Sequence, residues 1–404
     1  CSLEGAHLQR AALEHATLES CDGTSVAFNA ARIGHCTFRD CIFSSAQLQN
    51  ATIQSTSFER CELGGAAFHG ATLDDVGFEQ ATPSELPLAG AELTHLRAPG
   101  QRLRALRGNH DGGNFDGAYL AELDLTGCSF VASSLRNATL VGSQLSGVNL
   151  SGADLSGADL TGAKLDRCNL TGAKLVGATF SQASLASANL TVADATGVQA
   201  NAANFESAVL EGTLLRSASL SNARFVRALL TGTTLTAADL SGADFSFAQL
   251  RGGVMSTMLM GASFSGAQLE AVDLSMALLM GANLKGATFT GCDLSNADLR
   301  DADLAGARFN GGRLVGTKFQ GTRFSGAEFS DVDLSGASLA GAALAQIHLL
   351  RCNLHKANLA AANLREALLI DSSFVLADLH KAQLPRATLR GADFSDARIT
   401  EANL

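Results

Sequence analysis

The sequence has no tryptophan, one tyrosine (Tyr119) and four prolines among 404 residues. A conventional core of this size uses more aromatic variety, so the scarcity argues against two or three ordinary globular domains. No apolar run approaches the roughly 20 residues a membrane-spanning helix needs, and no basic start followed by a continuous apolar stretch marks a secretory leader. Glycine numbers 41 but does not fall at every third residue, which excludes a collagen triple helix. The motifs GxSxG and HExxH and a P-loop are missing, and the nine histidines are scattered without ligand spacing. Basic stripes with interleaved aromatics are missing too. Enzyme and nucleic-acid-binding readings therefore rank last, and no cofactor is expected.

What the chain does have is a period of five. From Leu3 to Phe78, fifteen of the sixteen residues at every fifth position are Leu, Ile or Phe, with Gly23 the exception. From Leu120 to Leu250 the same holds at 25 of 27 positions, Ala195 and Ala200 being the exceptions, and from Phe264 to Leu404 at all 29. A small residue, usually Ala, stands two places before each large one. The cleanest stretch reads SGADL, SGADL, TGAKL from Ser151 to Leu165. Five residues on an α-helix turn about 500°, which would spiral the leucines around the axis. On a flat strand the leucines would change face at each repeat. The pattern fits a chain that turns a corner every five residues, with the small and the large residue inward and the other three outward.

The A(D/N)LxG pattern resembles the pentapeptide-repeat family over nearly the whole chain. The resemblance implies an all-β fold, a right-handed quadrilateral parallel β-helix with four units per coil. About 20 coils at an inter-strand spacing of about 4.8 Å would make a rod on the order of 95 Å long. Two register breaks divide the array into a block at 1–82, an irregular basic insertion at 83–114, a block at 115–255 and a block at 256–404.

Cys1, Cys21, Cys36, Cys41, Cys61, Cys128, Cys168, Cys292 and Cys352 all take the small inward position of their local register. They are expected to be buried, reduced and metal-free, since stacked parallel side chains suit disulfide geometry poorly. Free thiols go with a reducing compartment, and a bacterial cytoplasmic location is expected. Twenty of the 21 phenylalanines lie on the large inward comb, so Phe38, Phe58 and Phe78, and Phe289, Phe309 and Phe329, should form aromatic ladders. Phe247 is off the comb and should be exposed.

The breaks offer the candidate sites. The first contains Arg97, Arg102, Arg104 and Arg107 and the turn-rich run Asn109-His110-Asp111-Gly112-Gly113-Asn114. Residues 83–114 carry four arginines against three acids, beside a first block with four basic and ten acidic residues. One reading is a tolerated insertion; the other is a protruding partner-binding loop built on Arg97, Arg102, Arg104, Arg107, His110 and Asp111. The second break, between Met255 and Phe264, loses one residue and gathers all five methionines. Taking Leu259 as the centre of a shortened unit stacks Met258 under Leu278 and Met260 under Met280, with Met276 nearby. Adaptable methionine surfaces suit partner binding, which makes Met258, Met260, Met276, Leu278 and Met280 a candidate patch.

Three functions compete. The first is a non-catalytic scaffold for protein partners. The second is an accessory, adaptor or translocated effector domain of a secretion system, type VI in particular; it follows from the family resemblance. The third, also from the resemblance, is protection of DNA gyrase by mimicry of duplex DNA. Against mimicry, residues 115–260 carry eleven acids and eight bases and residues 261–404 fifteen and thirteen, so most of the array is nearly neutral. The array is expected to be the C-terminal part of a larger protein. Its uncapped last coil is expected to pair end to end with a second copy. No membrane or nucleic-acid partner is expected.

Overall fold

The structure, a computed structural model, describes residues 1–82, 88, 91–99, 106 and 108–404. It divides into two compact units, Cys1–Val198 and Gln199–Leu404. Both are parallel β-solenoids, and the described residues contain no helix.

The period of five becomes a corner every five residues because four short ladders run side by side. In the first unit Ser2 pairs with Asp22, His7 with Ala27, Ala12 with Arg32 and Thr17 with Thr37, all parallel. Each partner is the equivalent residue four units further along, so four units make one turn. The turns of the described residues come out slightly fewer than the 20 expected from chain length alone. At every regular corner among the described residues one residue takes a left-handed conformation, which explains the glycine of the SGADL units: Gly152 and Gly157 have φ of 65° and 69°.

In the first unit the strands Ala12–Glu14, Arg32–Gly34, Thr52–Glu59, Thr72–Gly77 and Glu92–Thr94 stack in register. The expected ladder forms: Phe38 stacks on Phe58 at 4.9 Å and Phe58 on Phe78 at 5.2 Å. Gly23, the gap in the comb, is filled from the next coil, because the Phe43 ring lies 2.7 Å from where a Cβ would stand. In the second unit eight strands, from Leu229–Thr231 to Leu368–Ile370, form one parallel face. Phe289, Phe309 and Phe329 stack at 4.5 and 4.6 Å. A further ladder runs through Phe205, Phe225, Phe245 and Phe264. Each buried Leu or Phe contributes about 1.5–3 kcal/mol, so stability is spread along each array.

Cysteine departs from expectation at the start of the chain. Cys1 and Cys21 are joined in a disulfide with a Cα–Cα distance of 4.6 Å, and Cys1 is exposed. In-register parallel neighbours stand close enough for the bond, and this backbone spacing outweighs the parallel direction of the side chains. The other seven are buried thiols. Several donate to the carbonyl 23 residues earlier: Cys61 to Phe38, Cys168 to Leu145, Cys292 to Leu269 and Cys352 to Phe329. Thr233, Thr317, Thr322 and Ser372 make the same bond from the same position. The small inward site therefore accepts Ala or a short donor that reaches this carbonyl. Burial pushes the Cys61 and Cys168 thiols up to about 12 and Cys352 up to about 11. With two of the nine cysteines bonded, cysteine usage no longer points to a reducing compartment.

Both breaks lie where the comb slips. At the first, Arg97 pairs with Asn114, where the regular spacing would give Gly117. At the second, Asp239 pairs with Met258 and Asp244 with Ser263, where the regular spacing would give Leu259 and Phe264. The missing residue is a corner residue. Only Ser256 separates the inward Met255 and Thr257, and this corner has no left-handed residue.

Candidate functional site

Of the first candidate, Arg97, His110 and Asp111 belong to the solenoid. Arg102, Arg104 and Arg107 lie outside the described residues. His110 does not protrude. It is fully buried, its ring 5.6 Å from that of Phe115 and 5.5 Å from that of Phe130. Stepping the comb back by five from Phe115 lands on His110, so the sequence held the signal for a core position. Asp111 belongs to a regular corner, where its carboxylate accepts the Val131 N–H at 2.7 Å and the Ser129 hydroxyl at 2.6 Å. Asn109 and Asn114 cap the N–H groups of Asp111 and Asp116, as the same position does along the array. The turn-rich run is thus an ordinary pentapeptide corner. Arg97 lies on the ladder with its guanidinium 2.6 Å from Asp75 and 3.6 Å from Glu79.

Arg97 is one of several arginines that partner the acids of the first block. Arg60 binds Asp40 through two bonds of 2.7 Å, and Arg39 reaches Glu59 at 2.8 Å. The hydrogen bond from Arg60 holds the Asp40 carboxyl below the usual carboxylate range. Part of the acidity of residues 1–82 is therefore matched across neighbouring coils.

The second candidate lies on one face of the second unit, whose ladder runs Asp239, Met258, Leu278, Asp298, Lys318. The backbone carries Met258 and Leu278 outward while Leu259 and Leu279 fill the core between them. Met258, Met260 and Leu278 are exposed, Met276 is 72% exposed at the preceding corner, and Met280 is half-buried. Met260 and Met280 flank the corners at Gly261 and Gly281, stacked by the bond from the Gly261 N–H to the Met280 carbonyl at 3.0 Å. Met255, the fifth methionine, is a core residue.

Charged and capped groups border this apolar stretch. On one side Asp298 is almost fully buried and accepts from the Arg300 guanidinium at 2.8 and 2.6 Å. That hydrogen bond holds the Asp298 carboxyl below its ordinary range. Arg300 also reaches the Met280 sulfur at 3.3 Å. On the other side Asp239 accepts from the Ser241 N–H and the Ser221 hydroxyl, and bonds from Ser241 and Ser221 lower its carboxyl too. Ile42, Tyr119, Val192 and Leu229 are exposed elsewhere as scattered side chains, the ordinary condition of a protein surface. Phe247 is exposed as expected, its ring 2.8 Å from the point a Cβ on Gly266 would occupy.

Among the described residues no group of three or more His, Cys, Asp or Glu could hold a metal ion, and no helix is long and apolar enough to cross a membrane. What the geometry shows is an exposed apolar face on the second unit.

A family model described as a pentapeptide repeat region matches residues 1–68 and 282–359. A second, described as pentapeptide repeats, matches segments within residues 114–256, at 262–301 and at 372–404. No curated protein matches the chain in sequence. Among solved structures, a trypsin-treated form of QnrB1, a plasmid-mediated fluoroquinolone resistance protein, is 22% identical. That match covers 47% of this chain and 88% of the other, with a TM-score of 0.30. HetL, a pentapeptide repeat protein involved in heterocyst differentiation regulation in the cyanobacterium Nostoc, is 22% identical over 77% of this chain and 90% of its own, with a TM-score of 0.15. A pentapeptide repeat protein of the Arabidopsis thaliana thylakoid lumen is 25% identical over 31% and 70%, with a TM-score of 0.15. None of these superpositions bears on function.

Proposed function

The chain belongs to the pentapeptide-repeat family, and from that premise we propose that it is a non-catalytic scaffold that holds a protein partner on the methionine face of its second unit. One observation carries the reading. Met258, Met260, Met276 and Leu278 are exposed together on adjacent turns, at outward positions where the array mostly uses Ser, Thr, Asp, Asn and Gly. A contiguous apolar patch is uncommon on a soluble surface and marks contact with another surface. Methionine adapts its flexible thioether to an irregular partner. The partner that fits presents apolar side chains to the patch, with polar groups placed to meet the Asp298–Arg300 pair beside it.

The test is a double variant, Met260→Asp with Met280→Asp, beside a control, Phe247→Asp. Both target outward side chains, so thermal unfolding should change by no more than about 0.5 kcal/mol per site. Asp at 280 would also face Arg300. Affinity for a partner purified with the wild-type chain should fall at least about tenfold in the double variant and stay unchanged in the control. Equal binding by all three proteins would remove the patch from the interface. Unfolding of the double variant would make these residues core.

A further inference from the structure

Cys1, Cys21, Cys41 and Cys61 stand one full turn apart, in one column of the first unit. The backbone fixes their register. The Asp22 N–H donates to the Cys1 carbonyl at 3.0 Å, that of Ile42 to Cys21 at 3.0 Å and that of Glu62 to Cys41 at 2.9 Å. The side chains share one orientation as well. Cys21 points to the Glu19 carbonyl at 3.5 Å, Cys41 to that of Arg39 at 3.3 Å and Cys61 to that of Glu59 at 3.5 Å. The bonded pair has a Cα–Cα distance of 4.6 Å. In-register parallel neighbours lie about 4.8 Å apart, inside the range of about 4.4–6.8 Å that a disulfide spans. Cys21 and Cys41 therefore meet the same requirement as Cys1 and Cys21.

We propose that this column is a thiol–disulfide relay, in which the Cys1–Cys21 bond passes inward to become a Cys21–Cys41 bond. Exchange needs the attacking sulfur, the attacked sulfur and the leaving sulfur in line. Stacking in register sets Cys41, Cys21 and Cys1 in succession along the direction in which the coils stack. The Cys41 thiol first gives up its proton to water. Its thiolate attacks the Cys21 sulfur, the Cys21–Cys41 bond forms and the Cys1–Cys21 bond breaks. The electron pair leaves on the Cys1 sulfur, which takes a proton from water. One disulfide and one thiol remain, so neither oxidant nor reductant is consumed. Cys21, Cys41 and Cys61 are buried, whereas Cys1 is exposed, so the step delivers an accessible thiol and unclasps the first coil.

The experiment compares the full chain with Cys41→Ser and Cys1→Ser at pH 8, with acid-quenched alkylation and mapping of disulfide-linked peptides. Serine is suited to the inward position, since Ser372 occupies it and donates to the Leu349 carbonyl. In the wild type, alkylated Cys1 should appear together with a Cys21–Cys41 peptide. In Cys41→Ser the alkylation of Cys1 should slow by about tenfold or more, because the neighbouring nucleophile is lost. In Cys1→Ser, glutathione disulfide should close Cys21–Cys41. Equal Cys1 alkylation in wild type and Cys41→Ser would overturn the relay. So would a folded Cys1→Ser chain, verified by circular dichroism, that never forms Cys21–Cys41 under conditions that close Cys1–Cys21 in the wild type.

Discussion

The turns around residues 149–191 of the first unit and the Met258–Leu278 ladder of the second use one outward position differently. In the first region Asn149, Asp154, Asp159, Asn169 and Asn189 hold it, and the side-chain oxygen of each accepts the N–H two residues on, while Lys164, Lys174, Thr179 and Ser184 take the remaining units. Asp154 caps Ser156 at 3.0 Å, Asp159 caps Thr161 at 3.0 Å and Asn169 caps Thr171 at 3.1 Å. In the second region Met258 and Leu278 stand there and offer no oxygen, until Asp298 resumes the pattern. The D/N of the repeat is thus a cap that prepares the next corner, as in an Asx turn. By analogy with helix caps, its loss costs on the order of 1 kcal/mol. Lys164 and Lys174 forgo it too, on a polar surface, whereas Met258 and Leu278 forgo it on two adjacent turns where the surface becomes apolar.

The largest expected effect tests whether that surface is separate from the core beneath it. Leu259 is fully buried while its neighbour Met258 is exposed. Leu259→Asp would bury an unpaired charge and should cost more than about 4 kcal/mol, unfolding the shortened coil in a urea titration. A loss below about 1 kcal/mol would show that the core at the break is open to water, and the contrast between core and patch would fail.

The next effect tests what lets the second region lose a residue. Gly253 has φ of 84°, and a Cβ there would collide with the backbone oxygen of Thr233, which cannot move aside as a side chain could. Gly261 has φ of 66° with open space around it. Gly253→Ala should cost about 1–3 kcal/mol through strain at a fixed backbone. Gly261→Ala should cost about 1 kcal/mol, the ordinary penalty of a left-handed conformation. Thermal melts of the two variants read the difference directly. Equal shifts would mean that the shortened corner does not depend on Gly253.

Much of this was legible because the period of five reports burial directly. A comb of large residues and a comb of small ones define the core, the ladders and both slips in register. The same comb, carried back from Phe115, would have placed His110 inside. The composition of the Asn109–Asn114 run pointed instead to a loop, because the residues that favour loops also build the corners of this fold. The caps were hidden for a related reason. Asp154 and Ser156 look like solvated surface in sequence, and only the corner geometry brings the carboxylate to the backbone N–H. The disulfide is hidden in the sequence because the parallel direction of stacked side chains argues against it, while the 4.6 Å backbone spacing that permits it exists only in the folded ladder.

The smallest expected effect sharpens the comparison from the opposite side. Met258→Asn with Leu278→Asn would restore to the second region the caps of the first. Asparagine adds no charge beside Asp239 or Asp298, and stacked asparagines are compatible with the ladder, since Asn169 donates to Asn149 at 3.1 Å. The N–H groups of Met260 and Met280 would gain an acceptor. The outward side chains being replaced contribute little to the core. The double variant should therefore be more stable than the wild type, by about 0.5–1 kcal/mol in total, after subtracting the apolar packing of the two side chains on each other. A higher melting temperature together with weaker partner binding would show that the native residues trade stability for binding. A lower melting temperature would mean that Met258 and Leu278 stabilise the fold by packing on each other, and the apolar face would then need no partner to explain it.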